Sequence, residues 1–297
     1  MADDSNNPKN NQELSNDLGR RDFVAFSVAA GLAAAGSASG AELPVVENNV
    51  EIQTPDGTCD AAYIHPATGS YAGVLIWTDA FGLRPSMRGI GKRIAAQGYA
   101  VLVPNPFYRV VKDPFPDASN VDFAANRQKI TQFMSSVQAA GNCEKDAAAY
   151  VAFLDAQKEV NKSKKIGTQG YCMGGPLVVR TCAALSNRLG AGASFHGGGL
   201  VTDKPDSPHL LASKIKGRMY FGIASNDDKN QPDAKDKLKE AFAAAKVPAE
   251  IEVYSESLHG WCVPDMPKQA NGMPTYNKVD AERAWGKLVA LYGTALA

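Results

Sequence analysis

The sequence has no surplus of charge of either sign, since Lys+Arg and Asp+Glu both number 31. A nucleic-acid binder needs a basic face and a solvating tail needs a run of acids, so neither class of partner is indicated. Cysteine is sparse and scattered, at 59, 143, 172, 182 and 262, with no C-x-x-C pair and no Cys/His spacing suited to zinc. No structural metal and no cofactor is implied. No run reaches the roughly twenty apolar residues that a membrane span requires. Residues 42–297 contain no internal repeat and no linker, and with 44% hydrophobic residues in the whole chain they read as one domain around one core. The expectation is a soluble monomer, without stable membrane association, whose partner is a small molecule.

The first forty residues differ in kind. A polar, Asn-rich stretch leads to Arg20-Arg21-Asp22-Phe23-Val24 and then to the Ala/Gly run Ala25 to Ala35. Twin arginines before a short apolar run, followed by small residues at Ser37, Ser39 and Ala41, read as a twin-arginine export signal over 1–41. An uncleaved amphipathic helix or a membrane anchor are the alternatives. Export places the mature chain in the periplasm or outside the cell, where Cys59, Cys143, Cys182 and Cys262 could pair in three ways if Cys172 is reserved for chemistry. A protein that folds before export in a reducing cytoplasm should not depend on any of them.

Val50 to Gln53 and Thr58 to Ile64 flank Thr-Pro-Asp-Gly, which predicts an antiparallel hairpin. Beyond it, buried-strand runs alternate with helical spacing. Strands are predicted at 73–77, 99–103, 165–170, 192–195, 218–223 and 250–254, and helices at 85–97, 143–157, from Met173, 233–245 and 279–292. This alternation predicts an α/β doubly wound, mostly parallel sheet with helices on both faces, and sites in such sheets collect at the carboxyl ends of the strands. Phe107 to Asn126, irregular and proline-bearing, reads as a loop over the site rather than a cap domain.

One strand runs into Gly170-Tyr-Cys172-Met-Gly174-Gly175 and then into a helix. This G-x-C-x-G pattern suits a nucleophile elbow, whose turn is so tight that side chains two positions either side of the nucleophile would collide. Cys172 then opens a helix, where the dipole and free N–H groups stabilise negative charge on sulfur. A tight turn around a buried cysteine would leave the same trace. A phosphate loop would want a further Lys or acid that is absent here.

Of the four histidines, at 65, 196, 209 and 259, only His259 follows the last predicted strand, and Ala224-Ser-Asn-Asp227-Asp228 follows the strand ending at Ile223. Cys172, Asp227, His259 is the nucleophile, acid, base order of α/β-hydrolases, with Asp228 as the rival acid. His196, before three glycines, reads as structural, with a place in the pocket wall as the alternative. The N–H groups of Met173 and of Ala80, after the strand ending at Trp77, are candidate oxyanion donors. Asp79 is either a partner for the thiol proton or a cap of the following turn.

Trp77-Thr-Asp79-Ala-Phe-Gly82-Leu, Gly98-Tyr-Ala-Val-Leu-Val-Pro104, Gly170-Tyr-Cys172-Met-Gly-Gly, the Asp227 loop and Leu258-His259-Gly260 together resemble a dienelactone hydrolase over most of the mature chain. The resemblance implies an eight-stranded α/β-hydrolase without a large cap, a Cys–Asp–His triad, and enol-lactone hydrolysis through a thioester. It also implies that Asp79 holds the resting thiol proton, where the family usually has glutamate. Of two arginines that grip a carboxylated lactone, one maps onto Arg109 as a substrate-binding residue, and the other falls on Val263. Half of that clamp is missing, which leaves the substrate open between a carboxylated lactone and the ester of a general carboxylesterase. A periplasmic thiol redox or sensor protein would use Cys172 without needing His259, and a non-catalytic relative would use neither.

Overall fold

The computed structural model describes residues 42–112, 118, 119 and 121–297. The export-signal reading of 1–41 lies outside the described residues. The chain opens with β1 (Val45–Thr54) and β2 (Gly57–Pro66), paired antiparallel from Thr54 opposite Gly57 to Val45 opposite Pro66. Pro55 and Asp56 make the turn between them, and Gly57 leaves it at φ +135°, a conformation that favours a residue without Cβ. The hairpin is longer than the sequence predicts, because its solvent-facing positions carry polar residues that blur the apolar signal.

The α/β alternation follows: β3 (Ala72–Trp77), α1 (Pro85–Ala96), β4 (Tyr99–Pro104), α2 (Phe123–Gln138), α3 (Asn142–Ala156), β5 (Ile166–Tyr171), α4 (Gly174–Ala184) and β6 (Leu189–Phe195). A 3-10 turn (Pro208–Lys214), β7 (Arg218–Ala224), the short α5 (Ser225–Asn230), α6 (Ala234–Ala244), β8 (Ala249–Tyr254) and α7 (Lys278–Ala295) complete it. The sheet order is β1-β2-β4-β3-β5-β6-β7-β8; β2 meets β4 antiparallel, and β4 through β8 run parallel. This is the α/β-hydrolase architecture.

Alternate residues of the central strands feed two cores. Trp77, Val178, Tyr150 and Phe221 pack on the face covered by α3, α4 and α6, while Ile76, Ile94, Phe195 and Leu288 pack under α1 and α7. Two polar pairs inside tie the elements together, as buried donors seek partners. Trp77 Nε1 donates to Thr181 Oγ1 at 3.0 Å, tying β3 to α4. Gln169 donates to the Tyr171 hydroxyl at 2.7 Å and accepts from Tyr292 at 3.1 Å, fastening β5 to α7.

Two segments differ from expectation. The stretch read as loop to Asn126 turns helical at Phe123, where the Asp122 carboxylate accepts the Ala125 N–H at 3.0 Å and Ile130, Phe133 and Val137 bury one face of α2. The segment carrying Asp227 is the helix α5 rather than an open loop. All five cysteines are free thiols. Among the described residues no helix is long and apolar enough to cross a membrane.

Candidate active site

β5 ends and α4 begins around Cys172, whose φ is +52°, in the left-handed region that a non-glycine residue seldom occupies. The glycines beside it are sterically required. A Cβ on Gly170 would lie 2.3 Å from the Gly174 carbonyl oxygen, and one on Gly174 would lie 2.6 Å from that of Trp77. Because Gly174 rests on the end of β3, Met173 comes beside the loop that carries Ala80. Both residues are almost wholly buried, and among the described residues neither backbone N–H donates to another protein group.

The Cys172 N–H has two acceptors, Phe195 O at 3.1 Å and His196 Nδ1 at 3.1 Å. Its side chain is half-buried. On the far side, the chain beyond β8 is stitched to α5 through the Ser225 N–H donating to Ser257 O at 2.8 Å and the His259 N–H donating to Asn226 Oδ1 at 2.8 Å. Those two bonds bring His259 Nδ1 to 2.8 Å from Asp227 Oδ2. Asp228 points elsewhere, its carboxylate 2.7 Å from Lys235 Nζ. Burial opposes charge on the His259 ring, but the Cys172 sulfur beside it and the Asp227 carboxylate outweigh that effect and push its pKa up to about 10. Cys172, His259 and Asp227 are thus brought together at adjoining strand ends, an arrangement suited to nucleophilic acyl transfer.

Asp79 takes the capping role, one of its two expected readings, and Arg109 is placed differently from expectation. Asp79 makes no hydrogen bond to Cys172. Its Oδ1 accepts the Phe81 N–H at 2.9 Å and Arg84 Nη1 at 2.7 Å, and its Oδ2 accepts Arg84 Nη2 at 2.9 Å. The other edge of the same guanidinium is held by Asp265 at 2.7 and 2.8 Å. A carboxylate one methylene shorter than glutamate is thereby held on a buried arginine. Arg109 bonds Asp146 at 2.8 and 2.6 Å and Asp56 at 3.1 and 2.7 Å, so its donors are committed to α3 and the β1–β2 turn. Val263, at the second clamp position, is fully buried.

Sequence reasoning missed Arg84 as a member of this region. Its trace is an arginine directly before the helix-opening Pro85, matched by an aspartate soon after His259. It also preferred a structural role for His196 over a place in the pocket wall, whereas the ring touches the Cys172 backbone. A cavity of about 540 Å³ between α1 and α7 is lined by Tyr171, Phe195 and Cys262 but by neither Cys172 nor His259. Asp227 lines a smaller one of about 150 Å³ with Gly197 to Gly199. Among the described residues no group of His, Cys, Asp and Glu side chains could hold a metal ion.

Comparison with known proteins agrees with this architecture. The model of the dienelactone hydrolase family matches residues 59–296. A Methylorubrum extorquens protein provisionally named carboxymethylenebutenolidase is 26% identical over 284 residues, 91% of each chain. The carboxymethylenebutenolidase of Rhodococcus opacus is 28% identical over 226 residues, 73% of this chain and 82% of that one. Among solved structures, a dienelactone hydrolase-like promiscuous phosphotriesterase from metagenomic libraries superposes with a TM-score of 0.68 at 21% identity, covering 87% of this chain and 100% of that one. An eight-stranded hydrolase sheet with a strained cysteine at its elbow, matched by the family model from β2 to the end of α7, makes this chain a hydrolase of the dienelactone hydrolase family.

Proposed function

We propose that the protein hydrolyses a small carboxylic ester or lactone through a thioester on Cys172. The observation that carries the reading is Cys172 at φ +52° next to an imidazole whose other nitrogen is held by Asp227. His259 takes the thiol proton and the sulfur attacks the acyl carbon. The N–H groups of Ala80 and Met173 receive the oxyanion. As the carbonyl re-forms, the C–O bond to the leaving group breaks and His259 protonates the departing oxygen. His259 next deprotonates a water, whose oxygen attacks the thioester carbonyl; the C–S bond breaks, the acid leaves, and the thiolate recovers its proton.

Asp79 has no proton to move in this scheme. Pinned between Phe81 and Arg84, it fixes the loop that presents Ala80. The names of the relatives point to a lactone such as carboxymethylenebutenolide, whereas the commitment of Arg109 to two aspartates and the apolar Val263 favour an acyl group without a carboxylate. A general carboxylesterase would share this chemistry. Turnover of paired neutral and carboxylated lactones and short-chain esters tests the reading, and absence of turnover with all of them would return the protein to the thiol-sensor class. The twin-arginine reading of 1–41 belongs to the same proposal. N-terminal sequencing of periplasmic material should begin near Glu42, and an intact Met1 on an active cytoplasmic form would exclude it.

A further inference from the structure

His196 directly follows β6 at φ +40°, a second left-handed non-glycine residue immediately beside the elbow. Its own N–H continues the ladder to Gly222 O at 2.8 Å, which fixes the backbone, and its side chain is wholly buried. From there the ring turns back across the sheet. Nδ1 lies 3.1 Å from the Cys172 nitrogen, and the ring meets that of His259 edge-on, with centroids 4.8 Å apart. Trp261, 5.2 Å away, and Tyr171, 6.1 Å away, close the remaining sides.

The regular parallel ladder already provides one acceptor for the Cys172 N–H, at Phe195 O. A structural histidine filling a hole would need no second one. Resting on the reading of Cys172 as nucleophile, we infer that His196 is a positioning residue: its Nδ1 anchors the Cys172 backbone in the left-handed conformation while its ring braces the imidazole of His259 against the sulfur.

The ring's chemical state fits that role. Among the titratable groups around it are Cys172, His259 with Asp227 behind it, and Tyr171, whose hydroxyl is held by Gln169. Burial, and next the charge on His259, hold the His196 imidazole well below the usual histidine range, so it is neutral. An Nδ1 that accepts a backbone proton places the ring proton on Nε2, which has no partner among the described residues. Protonating Nδ1 would turn the acceptor into a second donor aimed at the Cys172 N–H. One ring thus links the carboxyl end of the nucleophile strand to the residue that serves as base.

The discriminating experiment places the amide of asparagine and of glutamine at the two ring-nitrogen positions. The Asn side-chain oxygen reaches about as far as Nδ1 and asparagine tolerates left-handed backbone, whereas glutamine reaches toward Nε2. Kinetics on a chromogenic short-chain ester and the rate of Cys172 alkylation by iodoacetamide are measured for His196→Leu, His196→Gln and His196→Asn, with Cys172→Ala alongside. Misplacing a nucleophile by a fraction of an ångström lowers kcat more than it weakens binding, so His196→Leu and His196→Gln should lose about tenfold or more in kcat with KM little changed, and their Cys172 should alkylate more slowly. His196→Asn should recover most of both. Wild-type kcat in His196→Leu, or equal impairment in His196→Asn and His196→Gln, would overturn the inference while leaving an inactive Cys172→Ala, and so the thiol mechanism, intact. Should His196→Leu not fold, the Asn and Gln pair alone decides. Wild-type turnover by Cys172→Ala would instead remove the mechanism and the inference with it.

Discussion

Asp79 and Arg84 face each other through two parallel hydrogen bonds of 2.7 and 2.9 Å, and both side chains are at most 1% exposed. Breaking a buried pair from one side leaves the other charge without compensation, which typically costs about 3–5 kcal/mol. Arg84→Leu, which strands Asp79, should therefore lower unfolding free energy by about that amount in urea titrations. Asp265→Asn should cost less, because that carboxylate keeps 21% of its exposure and water can replace the lost contact. Equal losses in the two variants would mean that burial of Asp79 is not what makes the pair matter.

The titration of His259 reports its neighbours. The Cys172 sulfur is foremost among the influences that raise its pKa toward about 10, ahead of Asp227. Cys172→Ala should therefore shift the His259 ring titration, followed by NMR, to lower pH. A raised histidine pKa stabilises the fold fully below the unfolded value of about 6.5 and loses that contribution as pH climbs through the folded value. The wild type should accordingly lose more stability than Cys172→Ala between pH 7 and 10. Identical titrations in the two proteins would show that the sulfur does not sit against the ring.

Thiol reactivity should single out one cysteine. Burial pushes the Cys59 and Cys182 thiols up to about 12, and holds Cys143 and Cys262 above their ordinary range. Thiols so protonated react slowly, while Cys172 is half-buried at a helix start. Iodoacetamide should label Cys172 first, with activity lost in step, as read by peptide mass spectrometry. Cys172→Ser should fold normally yet lose about a hundredfold or more in kcat, because each tenfold is about 1.4 kcal/mol of barrier and a hydroxyl needs full general-base help here.

Arg109→Ala should act on stability rather than on specificity. Removing the guanidinium strands Asp146, which is fully buried, at a cost of about 3 kcal/mol. Its KM should change equally for carboxylated and neutral esters. A rise confined to the carboxylated ones would restore Arg109 as a substrate-binding residue.

Gly170→Ala tests the elbow itself. The added methyl would meet backbone, the Gly174 carbonyl, which cannot swing aside as a side chain can, so a loss of about 3 kcal/mol or more, or failure to fold, is expected from thermal melts. Gly198→Ala, where nothing lies within 4 Å of the new atom, is the matched control and should be near neutral.

The sequence alone determined the sheet class, and it singled out Cys172 and His259, which the structure brings together. Strand and helix periodicities are local, and a turn as tight as the elbow leaves glycines that can be read at fixed spacing on either side of the nucleophile. The order of the proposed nucleophile, acid and base is likewise written along the chain. Side-chain aim is not local. Asp227 and Asp228 are adjacent in the same acid segment, and only the helical turn of α5 directs one to His259 and the other to Lys235. Asp79 lies beside a proposed oxyanion donor in the sequence, yet Arg84 and Asp265, the latter far along the chain, decide that its carboxylate faces a guanidinium instead of a thiol. His196 is distant from Cys172 in sequence and becomes its hydrogen-bond acceptor because β5 and β6 pair in parallel with their ends level, Tyr171 opposite Phe195. Register between strands follows from the packing of both cores at once, so contacts that depend on it appear only when the sheet is assembled.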